Sequence, residues 1–140
     1  MNISDAIRSI IKPHTDDVLA PLSTVFSETM NREKPWQEYP RPQLVRDSYF
    51  SLNGLWDYAI TGDRMLPTSF DGQILVPFSP ECSLSGVRRN LQPGEYLYYH
   101  RLLPEDFCRL PSGYRLLLHF GAVDYEADIV LNHKQVLHHT

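Results

Sequence analysis

The chain has 140 residues, 42% of them apolar, and a formal net charge of −4. This length fits one domain with a real hydrophobic core, and the acidic balance gives no support for nucleic-acid binding. No apolar run approaches the roughly 20 residues that a membrane-spanning helix needs, and the first residues lack the pattern of a secretory signal. We therefore expect a cytoplasmic protein without nucleic-acid or membrane partners, in which both cysteines, Cys82 and Cys108, are reduced and buried.

Residues 1–40 differ from the rest of the chain. Ser4 is expected to cap a short helix that Pro13 ends. The apolar residues of this helix lie on adjoining faces: Ala6, Ile7, Ile10 and Ile11. Prolines then recur as far as Pro40, and each one interrupts a helix or strand. We predict an irregular N-terminal arm that lies over the domain surface or is partly disordered.

Strand patterns begin after Asp47. Runs of apolar and aromatic residues separated by turn residues predict extended strands at 55–60, 73–76, 95–103, 114–120, 125–131 and 135–138. In the first of these runs Trp56, Tyr58 and Ile60 share one face, whereas the consecutive residues Tyr98 and Tyr99 must point to opposite faces of their strand. Many short strands without a convincing helix between them predict an all-β protein, an antiparallel β-sandwich or jelly roll.

The last strands surround a candidate ligand contact. Leu116, Leu118 and Phe120 share one face of the run 114–120, and Gly121 to Asp124 connect this run to the next. Asp124 therefore lies in a loop between strands, where a carboxylate can face a ligand. Gly121, like Gly54, is expected at a turn where a Cβ atom would crowd the backbone.

Seven short motifs occur in a common order and at about a common spacing. They are 41–43 (RPQ), 51–56 (SLNGLW), 74–78 (ILVPF), 84–86 (LSG), 98–101 (YYHR), 120–127 (FGAVDYEA) and 131–134 (LNHK). With these motifs, residues 41–140 resemble the N-terminal sugar-binding domain of glycoside hydrolase family 2, which includes β-galactosidases, β-glucuronidases and β-mannosidases. The resemblance implies a galactose-binding-domain-like jelly roll at 41–140 that is incomplete at its C-terminus.

The same resemblance implies a function. Family members are retaining β-glycosidases whose two catalytic glutamates lie on a (β/α)₈ barrel, and neither glutamate has a counterpart in this sequence. We therefore expect the N-terminal portion of such an enzyme, inactive alone, without catalytic residues, cofactor or metal of its own. It would brace and shape the pocket in which the barrel binds a β-glycoside, within a full-length homo-oligomer. Asp124 matches a residue that reaches the glycone pocket in some relatives, so it is the candidate substrate-binding residue.

Alternative interpretations remain for several residues. Asp124 could instead stabilise its own turn. Trp56, Tyr58 and Phe120 are expected in the core, with sugar stacking as the minor alternative. Glu126 and Asp128 share a strand face, which is typical of a solvated surface more often than of a catalytic pair. The alternative function is a stand-alone, non-catalytic carbohydrate-binding or interaction module.

Overall fold

The computed structural model describes residues 23–41 and 43–140. These residues divide into two compact units: the sheet unit, whose described part ends at Arg101, and the hairpin unit, Leu102–Thr140. The described elements are one α-helix, α1 (Val25–Thr29), and the strands β1 (Gly54–Thr61), β2 (Gly72–Val76), β3 (Tyr96–His100), β4 (Ala127–Leu131) and β5 (Lys134–His139). All the strand pairs are antiparallel, so the prediction of an all-β protein is confirmed at that level. No helix in the described ranges is long and apolar enough to cross a membrane.

The sheet unit contains a three-stranded sheet in the order β2-β1-β3. The register places Trp56 opposite Ile74 and Tyr58 opposite Tyr99, so these side chains share one face. Tyr98 lies opposite Ala59 on the other face, which confirms that the consecutive tyrosines point in opposite directions.

The core of the sheet unit lies on both sides of β2. Ile74 and Leu75 are consecutive and therefore point to opposite faces, yet each is 0% exposed. Ala59 in the central strand is 2% exposed. The 3-10 turn Ser83–Ser85 packs against β2, and the ring of Trp36 lies against that of Phe78 with centroids 4.9 Å apart. An edge strand is thus buried because the connecting segments fold over it.

Helix α1 lies in the N-terminal segment and was not predicted. Thr24 caps it, since its hydroxyl accepts a hydrogen bond from the Ser27 backbone N–H and the Ser27 hydroxyl accepts one from the Thr24 backbone N–H. None of the five helical residues is buried. The helix predicted to begin after Ser4 lies outside the described residues.

The hairpin unit contains the two-stranded sheet β4-β5. Asn132 and His133 form its two-residue turn, with φ values of 51° and 63° that suit the twist of a hairpin. The register shifts by a β-bulge between Ile129 and Val130. Every residue of β5 is exposed.

Three sequence predictions in this part of the chain are wrong. The segment 114–120 is not a strand, and Phe120 is 45% exposed rather than part of the core. Its alternating pattern describes where side chains would point, but a strand also needs a hydrogen-bonding neighbour, and none pairs with it among the described residues. A Cβ atom on Gly121 would meet nothing within 4 Å, so crowding does not explain that glycine.

Two strand boundaries are also corrected. β3 ends at His100, opposite Asp57, and the predicted continuation to Leu103 has no strand beside it in the described structure. β4 begins at Ala127, two positions after the predicted start, and its first residue pairs with His139 near the end of β5.

Candidate functional site

A polar cluster crosses the middle of the three-stranded sheet. The register places Gln73 and His100 opposite Asp57 on its two sides, so all three side chains lie on one face. His100 Nδ1 lies 3.2 Å from Asp57 Oδ2, and Gln73 Nε2 donates to Asp57 Oδ1 at 3.5 Å. We call these residues the Asp57 cluster. The His100 and Asp57 side chains are 44% and 39% exposed, so solvent and small ligands can reach them.

An aromatic ring adjoins this cluster. Phe70 stacks on the His100 imidazole, with centroids 4.9 Å apart and an interplanar angle of 16°. The neighbouring residue, Asp71, fixes this position. Its backbone N–H donates to the Tyr58 carbonyl at 2.8 Å, and its carboxylate accepts from the Ile60 N–H at 2.8 Å. Phe70 is therefore held beside the sheet by the connection that leads into β2.

The loop before Asp71 encloses an open cavity of about 340 Å³ on the same side of the sheet. Its wall combines hydroxyl, carboxylate and apolar side chains: Ala59, Thr61, Asp63, Met65, Leu66, Pro67, Thr68, Ser69 and Asp71. Ala59 lies two positions from Asp57 in β1, on the same face. The cavity therefore continues the surface that carries the Asp57 cluster.

Arg101 connects the end of β3 to the beginning of β1. Its Nη1 donates to the Leu52 carbonyl at 2.5 Å and to the Asn53 carbonyl at 3.5 Å, and its guanidinium lies 5.8 Å from the centroid of the Trp56 ring. The Trp56 indole N–H donates to the same Leu52 carbonyl at 2.8 Å. This arrangement is a structural anchor, since Arg101 Nη1 and the Trp56 indole N–H both donate to backbone carbonyls.

Gly54 makes the anchor possible. Its φ of +135° is one that residues with a side chain rarely adopt, and a Cβ atom would lie 3.3 Å from the Glu33 carbonyl oxygen and 3.4 Å from Arg101 Nη1. The expectation of crowding at this glycine is confirmed, although Gly54 begins a strand instead of lying in a turn.

Asp124, the predicted substrate-binding residue, lies in the hairpin unit on the segment that precedes β4. It is exposed, and within the described part of the chain its carboxylate makes no hydrogen bond or ion pair. The alternative of a carboxylate bonded to its own turn is therefore not what the structure contains. Its contact with substrate stays a prediction.

The hairpin unit has a polar cluster that parallels the one in the sheet unit. Gln135 Nε2 donates to Asp128 Oδ1 at 2.8 Å, and His138 Nδ1 lies 2.7 Å from the same oxygen. We call these residues the Asp128 cluster. His139 points to the opposite face, because it pairs with Ala127. Within the described ranges no group of three or more His, Cys, Asp or Glu side chains is arranged to hold a metal ion.

Two tyrosines of β3 have shifted titration. Burial and the negative charge of Glu81 raise the pKa of Tyr99 above its ordinary value of 10.0. Burial is also the main reason that the pKa of Tyr98 is raised, and Asp63 adds to the effect while a hydrogen bond with Thr61 opposes it. Both hydroxyls stay neutral near pH 7 and can donate hydrogen bonds.

The Asp57 cluster was missed at the level of sequence. Asp57 and His100 lie in predicted strands, but no local pattern states which residues of two strands face each other. Comparisons with known proteins add no further site: no protein-family model matches this chain, and no curated protein does.

Proposed function

We propose that this chain is the N-terminal portion of a retaining β-glycosidase of the family 2 type, acting in the cytoplasm. In this proposal residues 41–140 belong to a galactose-binding-domain-like jelly roll. The antiparallel sheets support this proposal, because a jelly roll is built from antiparallel strands. The jelly roll braces the pocket in which a catalytic barrel, outside these residues, cleaves a β-glycoside. Both catalytic carboxylates belong to that barrel.

The observation that carries the proposal is the meeting of two separate family motifs at Arg101. The motif 51–56 supplies the Leu52 carbonyl, Gly54 and the Trp56 ring, and the motif 98–101 supplies the guanidinium that contacts them. Residues almost 50 positions apart thus fit one another, with the hydrogen bond spanning a separation of 49. This contact gives a physical reason for the presence of both motifs in one sequence, because each motif provides half of the anchor.

Asp124 is the residue through which this chain would contact substrate, by way of its exposed carboxylate. Sugar hydroxyls are hydrogen-bond donors, and a charged acceptor makes the stronger kind of hydrogen bond with them. Because the described residues leave this carboxylate without a partner, it can bind a hydroxyl without first breaking an internal contact.

Two measurements test the proposal. The gene is sequenced beyond codon 140, where a continuing frame that encodes a barrel with two catalytic glutamates is expected. Purified residues 1–140 are assayed with nitrophenyl β-galactoside, β-glucuronide and β-mannoside, and no hydrolysis is expected. Turnover that survives repurification, or a gene that encodes no barrel, would overturn the proposal.

In the full-length enzyme Asp124→Ala is expected to lower kcat/KM by a factor equivalent to about 1–3 kcal/mol of transition-state stabilisation. This is the usual cost of losing a hydrogen-bond partner that is buried in the complex with substrate. The melting temperature should stay unchanged. Asp106→Ala is the matched control, since it removes an exposed carboxylate from the same unit. A loss of stability with unchanged kinetics per folded molecule would show that Asp124 supports the fold and does not bind substrate.

A further inference from the structure

We propose that Asn53 and Gly54 form a deamidation site that the folded sheet unit protects and that reacts once the anchor at Arg101 has opened. Deamidation here would mark irreversibly each chain whose sheet unit has unfolded. The site does not depend on the proposed glycosidase, because all the residues involved lie in the sheet unit.

The sequence supplies the reacting groups. Asn53 is the one asparagine of this chain that precedes a glycine, and glycine has no side chain to hinder attack by its backbone nitrogen. In the reaction the Gly54 nitrogen gives its proton to a base from the solvent and attacks Asn53 Cγ. A ring N–C bond forms, the bond from Cγ to the side-chain nitrogen breaks, and that nitrogen takes up a proton and leaves as ammonia. Water then opens the cyclic imide at either carbonyl and gives aspartate or isoaspartate.

The folded structure holds both reacting groups in place. The side-chain amide of Asn53 donates to the Trp36 carbonyl at 3.1 Å, and the backbone carbonyl of Asn53 accepts from Arg101 Nη1 at 3.5 Å. Gly54 is buried at the beginning of β1, opposite Val76 in β2. Ring closure must turn Asn53 Cγ onto the Gly54 nitrogen, so it requires rotation about bonds that these contacts fix. Burial of Gly54 also keeps solvent bases from its N–H.

The products fit the folded site poorly. Aspartate at position 53 would place a carboxylate oxygen where an N–H now donates to the Trp36 carbonyl, and two acceptors repel each other there. Isoaspartate would lengthen the backbone by one carbon atom directly before Gly54. Even a Cβ atom on Gly54 would lie only 3.3 Å from the Glu33 carbonyl oxygen and 3.4 Å from Arg101 Nη1, so the site has little space for a displaced backbone. A chain that has reacted is therefore expected to rebuild the anchor less well.

The test follows deamidation of the 140-residue chain in mildly alkaline buffer, with and without urea, beside a synthetic peptide of residues 47–64. Trypsin releases the same peptide from the chain, and Asn53 is its one asparagine. Mass spectrometry measures the gain in mass when the amide becomes an acid, and a protein-isoaspartate methyltransferase detects isoaspartate. Asp71 precedes Gly72 and forms the same imide without that mass change, but it lies outside this peptide.

In urea the chain is expected to deamidate at the rate of the peptide. Without urea the rate should be lower by about tenfold or more, because the reaction then requires local opening of the sheet unit. Tryptophan fluorescence of the same samples shows when that unit is folded. Equal rates with and without urea, or no deamidation in urea, would overturn the proposal.

Variants connect protection to the anchor. Arg101→Ala should raise the rate in buffer and leave the rate in urea unchanged, and Arg101→Lys, expected to react at an intermediate rate, replaces it if the alanine variant does not fold. Arg109→Ala, which removes an exposed arginine of the hairpin unit, is the matched control and should react as slowly as the unchanged chain. An Arg101 variant that folds and reacts no faster than Arg109→Ala would show that the anchor does not protect Asn53.

The effect of the product is measured directly. Asn53→Asp should lower the urea concentration at which the sheet unit unfolds, because it breaks the contact with the Trp36 carbonyl. Asn90→Asp makes the same chemical change at an exposed residue of the same unit and should leave that concentration unchanged. Equal effects of the two variants would contradict the claim that deamidation weakens the anchor.

Discussion

The sheet unit and the hairpin unit use similar strands but bury very different amounts of apolar surface. In the sheet unit the central strand β1 has a neighbour on each side, and Ala59, Ile74 and Leu75 are almost completely buried. In the hairpin unit β4 has one neighbour, and no residue of either strand is buried. A two-stranded hairpin is marginal in water without a further strand or covering layer. The difference shows that alternation of apolar residues becomes a core only when other segments fold over the strand.

The largest expected difference between the units concerns core truncation. Ile74→Ala should lower the free energy of unfolding of the sheet unit by about 2–5 kcal/mol, because it leaves a cavity in a fully buried position. Both tryptophans, Trp36 and Trp56, precede Arg101, so their fluorescence during urea unfolding reports on this unit. Leu137→Ala, at a residue 53% exposed in the hairpin unit, should leave that transition unchanged. Equal losses from both variants would mean that the units unfold together.

The second prediction concerns two arginines. Arg101→Ala should cost about 1.5–3 kcal/mol, since it removes a charged donor from the Leu52 and Asn53 carbonyls. Arg101→Lys should recover only part of the loss, because an ammonium cannot reproduce the planar guanidinium. Arg109→Ala in the hairpin unit removes an exposed pair with Glu105 at 3.8 Å and should cost almost nothing. Thermal unfolding of the three variants checks the order.

The third prediction concerns two glycines. Gly54→Ala should destabilise the sheet unit by about 1–3 kcal/mol, because alanine is strained at a φ of +135° and its methyl group would crowd the Glu33 carbonyl. Gly121→Ala in the hairpin unit meets open space and should change stability by less than about 0.5 kcal/mol. Urea titrations monitored by circular dichroism compare the two. If Gly54→Ala leaves the free energy of unfolding unchanged, the anchor at Arg101 does not require a glycine at this position.

The smallest effect concerns alkaline pH. Because the pKa of Tyr99 is raised in the folded state, the unfolded chain loses this proton first as the pH rises past 10.0, the ordinary value. The stabilising contribution is therefore complete below that pH and is lost as the pH rises through the folded-state pKa. Tyr99→Phe should show a shallower loss of stability above pH 10 than the unchanged chain. Identical alkaline profiles would contradict the prediction.

Local pattern predicted the strands of this chain better than their contacts. The alternation of Trp56, Tyr58 and Ile60 and the break between the runs 125–131 and 135–138 are properties of neighbouring residues, and both are present in the structure. The segment 114–120 has an equally good pattern, but pairing depends on a distant segment that the pattern does not specify. Helix α1 was missed because it has only five residues and the third position of its cap is Ser27 instead of Glu or Gln.

The two candidate sites, Asp124 and the Asp57 cluster, differ in the same respect: the first follows from local sequence and the second from strand pairing. Asp124 could be named from the motif 120–127 alone, because its place in that motif is a local property of the sequence. The Asp57 cluster requires the register of three strands, because Gln73 and His100 meet Asp57 only when β2 and β3 both pair with β1. A one-residue shift in either pairing would move one partner to the opposite face.

The anchor at Arg101 also has a consequence for the rate at which the sheet unit unfolds. The bond to the Leu52 carbonyl joins residues 49 positions apart, so it can form only after the intervening chain has closed. Arg101 and Leu52 lie beyond the residues that pair in β1 and β3, so we predict that their contact forms after this pairing and after the folding transition state. Arg101→Ala should then speed unfolding and leave the refolding rate unchanged, so that in stopped-flow experiments only the unfolding limb moves. Arg101 would thus prolong the lifetime of the folded sheet unit without changing the rate at which that unit folds.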